Sequence, residues 1–362
     1  MHSFLNFFRG KRVLVTGCTG FKGSWLYFWL SKMEADVYGL GLPPTNQQSN
    51  LYKALGLENQ EKIQFIDIRN LSALQVFVES VKPEIIFHLA AQPLVKTSYL
   101  DPLDTYTSNI NGTLNLIEVI RKLKNTIKAM VVVTTDKCYQ DLGHQKPHTE
   151  LDPLGGNDPY SASKACTEII VNSYRKSYFN ALGIGVATAR GGNILGGGDF
   201  GEFRLVPDII RTVKSKGELT VRSPNALRPW QYVLDALFGY LLLAKHLYES
   251  PLEFNEAFNF SNPKIEMVNV STLVSKLLQQ INAQDTIVRY KPESFYETTY
   301  LQLDSKKAHM RLNWKPLFDL DTTLSELGSW YSAYLQEKDL AHVSYHCISN
   351  YMQKVVRYYG QN

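Results

Sequence analysis

Residues 13–25 read VLVTGCTGFKGSW, and the fold is decided there. Val13, Leu14 and Val15 form a short apolar run that stops at Gly17. Gly20 and Gly23 follow at the spacing with which a buried strand turns tightly into a helix. Such a turn presents unpaired backbone N–H groups to an anion, so a diphosphate is the expected ligand. The order Lys22-Gly23-Ser24 departs from the Gly-Lys-Ser/Thr of an ATP-binding loop, which excludes that reading. The bland alternative is a tight turn without a ligand; a series of βα units around it weighs against that.

Outward from this loop, the first half alternates strand-like and helix-like segments. Asp36–Leu40, Ile63–Ile66 and Glu84–His88 have the run of buried strands, and Ala129–Thr134 is rich in β-branched residues. Phe21–Met33, Leu71–Val81, Thr105–Leu123 and Tyr160–Tyr178 have helical spacing, and Ile184–Ala189 is a further strand. Repeated βα units predict an α/β protein with a doubly wound parallel sheet. After Arg190 the pattern breaks into glycines and prolines, then resumes with a helix at Asp235–Tyr248 and a strand at Ala257–Phe260. The expected division is a dinucleotide-binding domain over 1–190, to which 231–262 returns. Residues 191–230 and 263–362 would form a smaller mixed α/β substrate domain. The tyrosine-rich tail has the period of a helix packed on that second domain.

The 38 basic and 34 acidic side chains of the 362 residues give a formal charge of +4, too weak to predict nucleic acid or a membrane as partner. Cys18, Cys138, Cys166 and Cys347 lie far apart with no CxxC pair, so neither a disulfide framework nor a metal site is expected. The N-terminus lacks signal-peptide order, and the apolar stretch Val233–Leu247 contains Asp235 and Lys245 and is too short to span a bilayer. A cytoplasmic protein is expected.

Tyr160 and Lys164 stand four apart in PYSASK and share one helix face. An ammonium beside a phenol lowers its pKa and lets it act as a base; the alternative is a surface helix pair. Thr135, after the strongest strand, can hydrogen-bond the same substrate oxygen. Asp67 in FIDIR can accept a bond from an adenine amino group or cap its strand. The second strand ends in YGLGLPP, with no acidic residue to choose between NAD and NADP. His88 reads as a packed strand-end residue.

The glycine spacing, Asn109 of SNINGT and YxxxK together resemble the extended short-chain dehydrogenase/reductases. TGFKGSW, HLAAQPLV, TTDKCY, DPLGGNDPYSASKA, GNILGGGD and RPWQYVL are similar to the CDP-glucose 4,6-dehydratases, over nearly the whole chain. The resemblance implies a Rossmann-type domain and bound NAD. It implies oxidation of the glucose at C4, loss of water across C5/C6 and return of the hydride to C6. Tyr160 would be the C4 base, assisted by Thr135 and Lys164. Asp136 would protonate the leaving hydroxyl, and Lys137 would take the C5 proton. A lysine base must be neutral, which Lys164, the oxidised nicotinamide and desolvation would favour. The alternative for Asp136–Lys137 is an ion pair at a strand end.

Carried over residue by residue, the cofactor would touch Gly17, Thr19, Gly20, Phe21, Lys22, Gly23, Asp67, Ile68, Leu89, Ala90, Ala91, Asn109, Tyr160 and Lys164. Gln92, Asn193, Arg204, Arg222 and Arg228 would hold the nucleotide sugar, CDP-glucose being favoured. Guanidinium forks suit a diphosphate, although Arg222 is equally a surface arginine and Asn193 equally a turn residue. Cys18, Asn157 and Phe200 depart from the family's histidine, histidine and tryptophan, the last two near the expected substrate side. A homodimer, or a dimer of dimers, is implied. The competing activities are 4,6-dehydration of another nucleotide sugar and C4 epimerisation, which needs no acid for water loss, or a silent NAD-binding protein.

Overall fold

In the computed structural model, which describes residues 4, 6–44, 50–123, 126–143, 146–262, 265, 268–291 and 301–360, seven parallel strands form the central sheet. They are β1 (Arg12–Thr16), β2 (Asp36–Gly41), β3 (Ile63–Phe65), β4 (Ile85–His88), β5 (Ala129–Val133), β6 (Gly185–Gly191) and β11 (Ala257–Phe260), in the spatial order β11-β6-β5-β4-β1-β2-β3. Every residue of β4, β5 and β6 is buried, which is why these strands read as unbroken apolar runs. The order reverses beside β1, where an open parallel sheet leaves a crevice at its strand ends.

The helices between the strands lie on both faces. They include α1 (Phe21–Lys32), α2 (Leu71–Val81), α3 (Gly112–Lys122) and α4 (Pro159–Tyr174). Asn70 caps α2 by accepting from the Ala73 N–H, and Asp158 caps α4 by accepting from Ser161, with Pro159 in the first turn. Asp158-Pro159 therefore fixes where α4 begins and so where Tyr160 points. Two expected helices are interrupted. Thr107–Asn111 is a π-turn ahead of α3, and Arg175–Phe179 is a π-turn after α4. Each adds a residue to a turn without changing composition, so apolar spacing does not reveal it.

The second lobe holds α5 (Leu205–Ser215), β8 (Glu218–Val221), α7 (Val270–Gln280) and β13 (Ile287–Tyr290), with β13 parallel to β8. Strand β7 (Asn193–Leu195) pairs with β10 (Trp230–Tyr232), and β9 (Leu227–Arg228) with β12 (Val268–Asn269). Helix α6 (Val233–Glu249) is buried on nearly every face, which accounts for its unbroken apolar sequence. Among the described residues, no helix is long and apolar enough to cross a membrane.

Following α8 (Lys306–Leu312), the tail forms α9 (Leu320–Leu335) and α10 (Leu340–Tyr359). Helix α9 follows the expectation, packing Trp330, Tyr331 and Tyr334 around Phe200, and α10 follows it in part, Ser344 accepting from Trp330 and Tyr351 meeting Phe318. Helix α10 also crosses α1 and α6: Tyr351 meets Trp29 edge-on at 5.7 Å and Phe238 at 6.1 Å, and its hydroxyl donates to Asp235. An apolar stripe states that a helix is covered, not by which neighbour. The four cysteines are free thiols.

Candidate active site

The glycine loop joins β1 to α1 against the backbone that follows β4. Gly17 has φ +71°, and a Cβ there would lie 2.7 Å from the Ala90 nitrogen. A Cβ on Gly23 would lie 2.0 Å from the Gly17 carbonyl oxygen. No L side chain fits either place. Gly20 caps α1 with extended backbone and no side-chain bond, which leaves the first-turn N–H groups of Phe21, Lys22 and Gly23 without a side-chain cap. Thr19 donates to the Leu42 carbonyl at 3.0 Å. The loop is therefore a ready anion cradle.

Below it, Thr16 Oγ1 contacts His88 Nδ1 at 2.7 Å and accepts from the Leu89 and Ala90 N–H groups at 3.2 Å. His88 Nε2 meets Thr113 Oγ1 at 3.0 Å, and burial lowers its pKa to about 3, with Lys164 adding to the shift. It is a neutral strand-end brace. Cys18 is buried against β2, its thiol pushed up to about 12 by burial.

The reacting groups gather at the ends of β5 and β6. A cleft of about 390 Å³ is lined by Phe21, Lys22, Thr135, Asp136, Lys137 and Tyr160 on the sheet side. Asn193, Arg204, Arg222 and Arg228 face it from the second lobe. Thr135 donates to Asp136 Oδ1 at 3.0 Å, and its side chain favours the ionised form of the Tyr160 phenol. Asp136 is buried, and burial raises its pKa, partly countered by Lys137, Thr135 and Arg228. Burial thus works against the carboxylate's charge, which suits a group that is to give up a proton. The half-buried Lys137 stands beside it.

Tyr160 differs from expectation. Burial pushes its phenol up to about 12; Thr135 and Arg204, rather than Lys164, work in the opposite direction. The Lys164 ammonium donates to the Val133 carbonyl at 3.3 Å, and burial brings its pKa down to about 8 against Glu168. Desolvation outweighs the cation here.

Glu168, one turn beyond Lys164 on α4, was missed by the sequence reading. It accepts from Thr134 at 2.5 Å, Thr188 at 2.7 Å and Arg190 at 2.8 Å. Arg190 also donates to Tyr139, which donates to Asn259. Burial opposes the Glu168 charge, but Arg190 prevails and holds its pKa low. This buried network ties β5, β6 and β11 to the helix carrying Tyr160. A polar residue four places after Lys164, and so on the same helix face, was the available signal.

Several expected contacts are spent within the chain, and some lie away from the cleft. Both Asn109 amide hydrogens are used, on the Gln92 carbonyl at 3.1 Å and Ser163 Oγ at 2.8 Å, so the residue braces α4 rather than offering a donor to a ligand. The Gln92 amide is turned to Thr105 and Leu94, and Gln92 does not line the cleft. Asp67 is held by Arg69 in a two-oxygen ion pair, so it is a paired carboxylate rather than a free acceptor. Ile68 is core beneath α3, against Gly112. Leu89, Ala90 and Ala91 form the half-buried turn after β4. Arg204 is paired with Asp199 at 3.0 Å, and Arg222 donates to the Phe203 carbonyl at 3.1 Å. Phe200 lies inside the α9 aromatic cluster and Asn157 is exposed; neither lines the cleft. Lys96, Tyr99 and Asp208 do line it and carry no sequence motif that would have selected them, and so does Trp230, whose motif RPWQYVL pointed to Arg228 alone. Among the described residues no cluster of three metal-ligating side chains occurs.

A dinucleotide-type parallel sheet with a Tyr-Lys pair on the helix after its fifth strand defines a short-chain dehydrogenase/reductase-like protein, and comparison with known proteins narrows this. The family model described as GDP-mannose 4,6 dehydratase matches residues 14–327, and the chain belongs to this nucleotide-sugar 4,6-dehydratase family. The chain is 39% identical over 357 residues to a CDP-glucose 4,6-dehydratase of Salmonella typhimurium, covering 97% of this chain and 99% of the relative. A probable dTDP-glucose 4,6-dehydratase of Sinorhizobium fredii is 27% identical over 336 residues, 88% of this chain and 92% of that one. Among solved structures, the dTDP-glucose 4,6-dehydratase of Bacillus anthracis in complex with NAD superposes with a TM-score of 0.75 at 22% identity, over 92% of this chain and 100% of that one. The enzyme of the same name from Streptomyces venezuelae, with NAD and TYD bound, gives 0.77 at 22%, over 91% and 99%. At these identities the two structures speak for the fold.

Proposed function

We propose that this protein is a hydro-lyase that converts CDP-glucose to CDP-4-keto-6-deoxyglucose with NAD as a recycled cofactor. The observation that carries the reading is Asp136: a buried carboxyl with a raised pKa, hydrogen-bonded to Thr135, with Lys137 and Tyr160 beside it in one cleft. An epimerase needs a base at C4 but no acid for a departing hydroxyl. The 39% identity to a CDP-glucose 4,6-dehydratase over almost the whole length supports the choice of nucleotide sugar.

The residues fit a dinucleotide. Gly17 and Gly23 leave no room for a Cβ where a diphosphate must approach, and the α1 N-terminus is uncapped. Gly17, Gly20, Phe21, Lys22 and Gly23 would hold the diphosphate through their backbone, with Tyr160 and Lys164 at the reacting end. Bound there, NAD supplies reversible hydride storage, so the reaction consumes no net oxidant.

The chain's own groups do the rest. Tyr160 would take the C4 hydroxyl proton, with Thr135 holding the oxygen, once the positive ring of bound NAD offsets the burial that raises its phenol. Asp136, whose burial works against its charge, gives a proton to the C6 hydroxyl as that group leaves. Lys137 takes the C5 proton, which the new C4 ketone has made acidic, and returns a proton to C5 once C6 has been reduced, so that only water is lost. Arg204, Arg222 and Arg228 supply the cations for the nucleotide diphosphate.

The proposed lobes are 1–190 with 231–262, and 191–230 with 263–362, where 263, 264, 266, 267, 292–300, 361 and 362 lie outside the described residues. Pairing of β11 with β6 supports the return of 231–262; α10 packs on the first lobe. A homodimer is supported by exposed Leu103 and Ile169, on the adjoining Pro102–Tyr106 helix and α4.

The test is turnover of CDP-, dTDP-, GDP- and UDP-glucose with product mass analysis. Loss of one water from CDP-glucose alone supports the proposal. An isomer of unchanged mass, or preference for another nucleotide, overturns it.

A further inference from the structure

The arginines divide the cleft. Arg204 lies close enough to Tyr160, and Arg228 to Asp136, for their charges to act there, so both border the reacting end. Arg222 belongs to the opposite end, where its guanidinium comes within 3.7 Å of Asp208 in the first turn of α5. Burial opposes the Asp208 charge, and Arg211, Arg222 and Lys96 support it. The wall here is otherwise apolar. Pro207 precedes Asp208, Val221 precedes Arg222, and the Phe203 carbonyl accepts from Arg222 at 3.1 Å. Phe203 has φ +59°, a conformation that a bulky residue rarely adopts, and the Lys96 ammonium lies 4.5 Å from its ring. Backbone held in this way marks functional sites. Past the diphosphate cations, then, the cleft offers flat apolar surface and a carboxylate, as a nucleobase requires.

Resting on the reading that this cleft takes CDP-glucose, we propose that Asp208 selects the base: its carboxylate accepts a hydrogen bond from the exocyclic N4 amino group of cytosine. Cytosine carries an N–H donor where uracil and thymine carry a carbonyl oxygen; a carboxylate accepts from the first and repels the second. Asp208 Oδ1 is spent on Arg211. Oδ2 has Arg222 at 3.7 Å, beyond hydrogen-bond length, and accepts no bond among the described residues. Arg211, three residues further along α5, fixes the carboxylate on a rigid element. The other carboxylates of the described cleft are less suited. Asp136 serves the reaction, and Arg204 holds both Asp199 oxygens, at 3.0 and 3.1 Å. Glu202 stands on the turn before α5 rather than on the helix.

The test is kcat/KM for CDP-glucose and UDP-glucose, which differ only in the base, measured on the full-length chain with NAD added. Wild type should prefer CDP-glucose. In Asp208→Asn the amide can turn its oxygen to the cytosine N–H or its own N–H to the uracil oxygen. The preference should therefore fall about 10- to 100-fold, through KM, with kcat for CDP-glucose nearly kept. Glu202→Gln should leave the preference as it is. An Asp208→Asn protein whose two KM values move in parallel, and so whose preference is unchanged, would overturn the inference and leave Asp208 an ion-pair partner on α5. So would a Glu202→Gln protein that loses the preference instead. Should Asp208→Asn fail to fold, inhibition of wild type by CDP and by its N4,N4-dimethyl derivative decides. The derivative lacks both N–H donors and should bind roughly tenfold more weakly or worse; equal inhibition overturns the assignment. Wild type that uses UDP-glucose as readily as CDP-glucose contradicts the nucleotide reading itself, a distinct outcome.

Discussion

The Asn109 side chain donates a 2.8 Å hydrogen bond to the Ser163 hydroxyl, and Ser163 donates in turn to the Tyr160 carbonyl at 2.7 Å. Asn109 also holds both the N–H and the carbonyl of Gln92, at 2.8 and 3.1 Å. One buried amide thus locks the turn after β4 to the first turns of α4. Replacement by leucine removes three bonds and leaves the Gln92 backbone groups unpaired. Asn109→Leu should lower stability by roughly 2–4 kcal/mol in urea unfolding and reduce kcat more than KM. Unchanged values of both would show that the strap positions nothing.

Asp136→Asn tests the acid directly. The amide keeps the shape and the Thr135 contact but has no proton to give. Turnover should fall by about 10²–10⁴-fold, the usual contribution of general acid catalysis. Oxidation at C4 does not need this group, so reduced cofactor should build up on mixing with CDP-glucose, seen as nicotinamide absorbance. A variant that turns over normally, or that stalls before any reduction, contradicts the assigned step.

Asp235 makes stability depend on pH. It lies on α6, fully buried, and accepts from the Leu317 and Phe318 N–H groups and the Tyr351 hydroxyl. Burial raises its pKa to about 7, against the ordinary value of 3.8. The folded chain therefore holds this proton where the unfolded chain has released it. Its contribution is full below the unfolded pKa and is lost as pH rises to about 7, by at most about 1.4 kcal/mol per unit. Wild-type stability minus that of Asp235→Asn should fall across this window. Equal pH slopes for the two proteins would refute it.

Legibility tracked physical cause. The sheet could be read because strands buried on both faces leave unbroken apolar runs, and the glycine loop because Gly17 and Gly23 admit no other residue. Thr135, Asp136, Lys137 and Tyr160 could be located because they follow β5 and open α4. What escaped depends on partners. Nothing in SNINGT says that the Asn109 amide is spent on Ser163, nor does HLAAQPLV show Gln92 folding onto its own turn. The Tyr160 pKa depends on total burial, which no four-residue spacing reports. Arg222 and Arg228 came out as cleft residues because the prolines and glycines between β7 and α6 bring that segment back over the sheet ends.

Strand β11 completes the sheet only after the chain has left it at β6, built part of the other lobe and come back. During synthesis, β6 waits with an unpaired edge until residue 260 has emerged. A fragment cut at the apparent lobe boundary near 190 would carry that bare edge permanently, and bare edges recruit other chains. Shortened versions made for crystallography or engineering should therefore keep the returning segment, or they will precipitate.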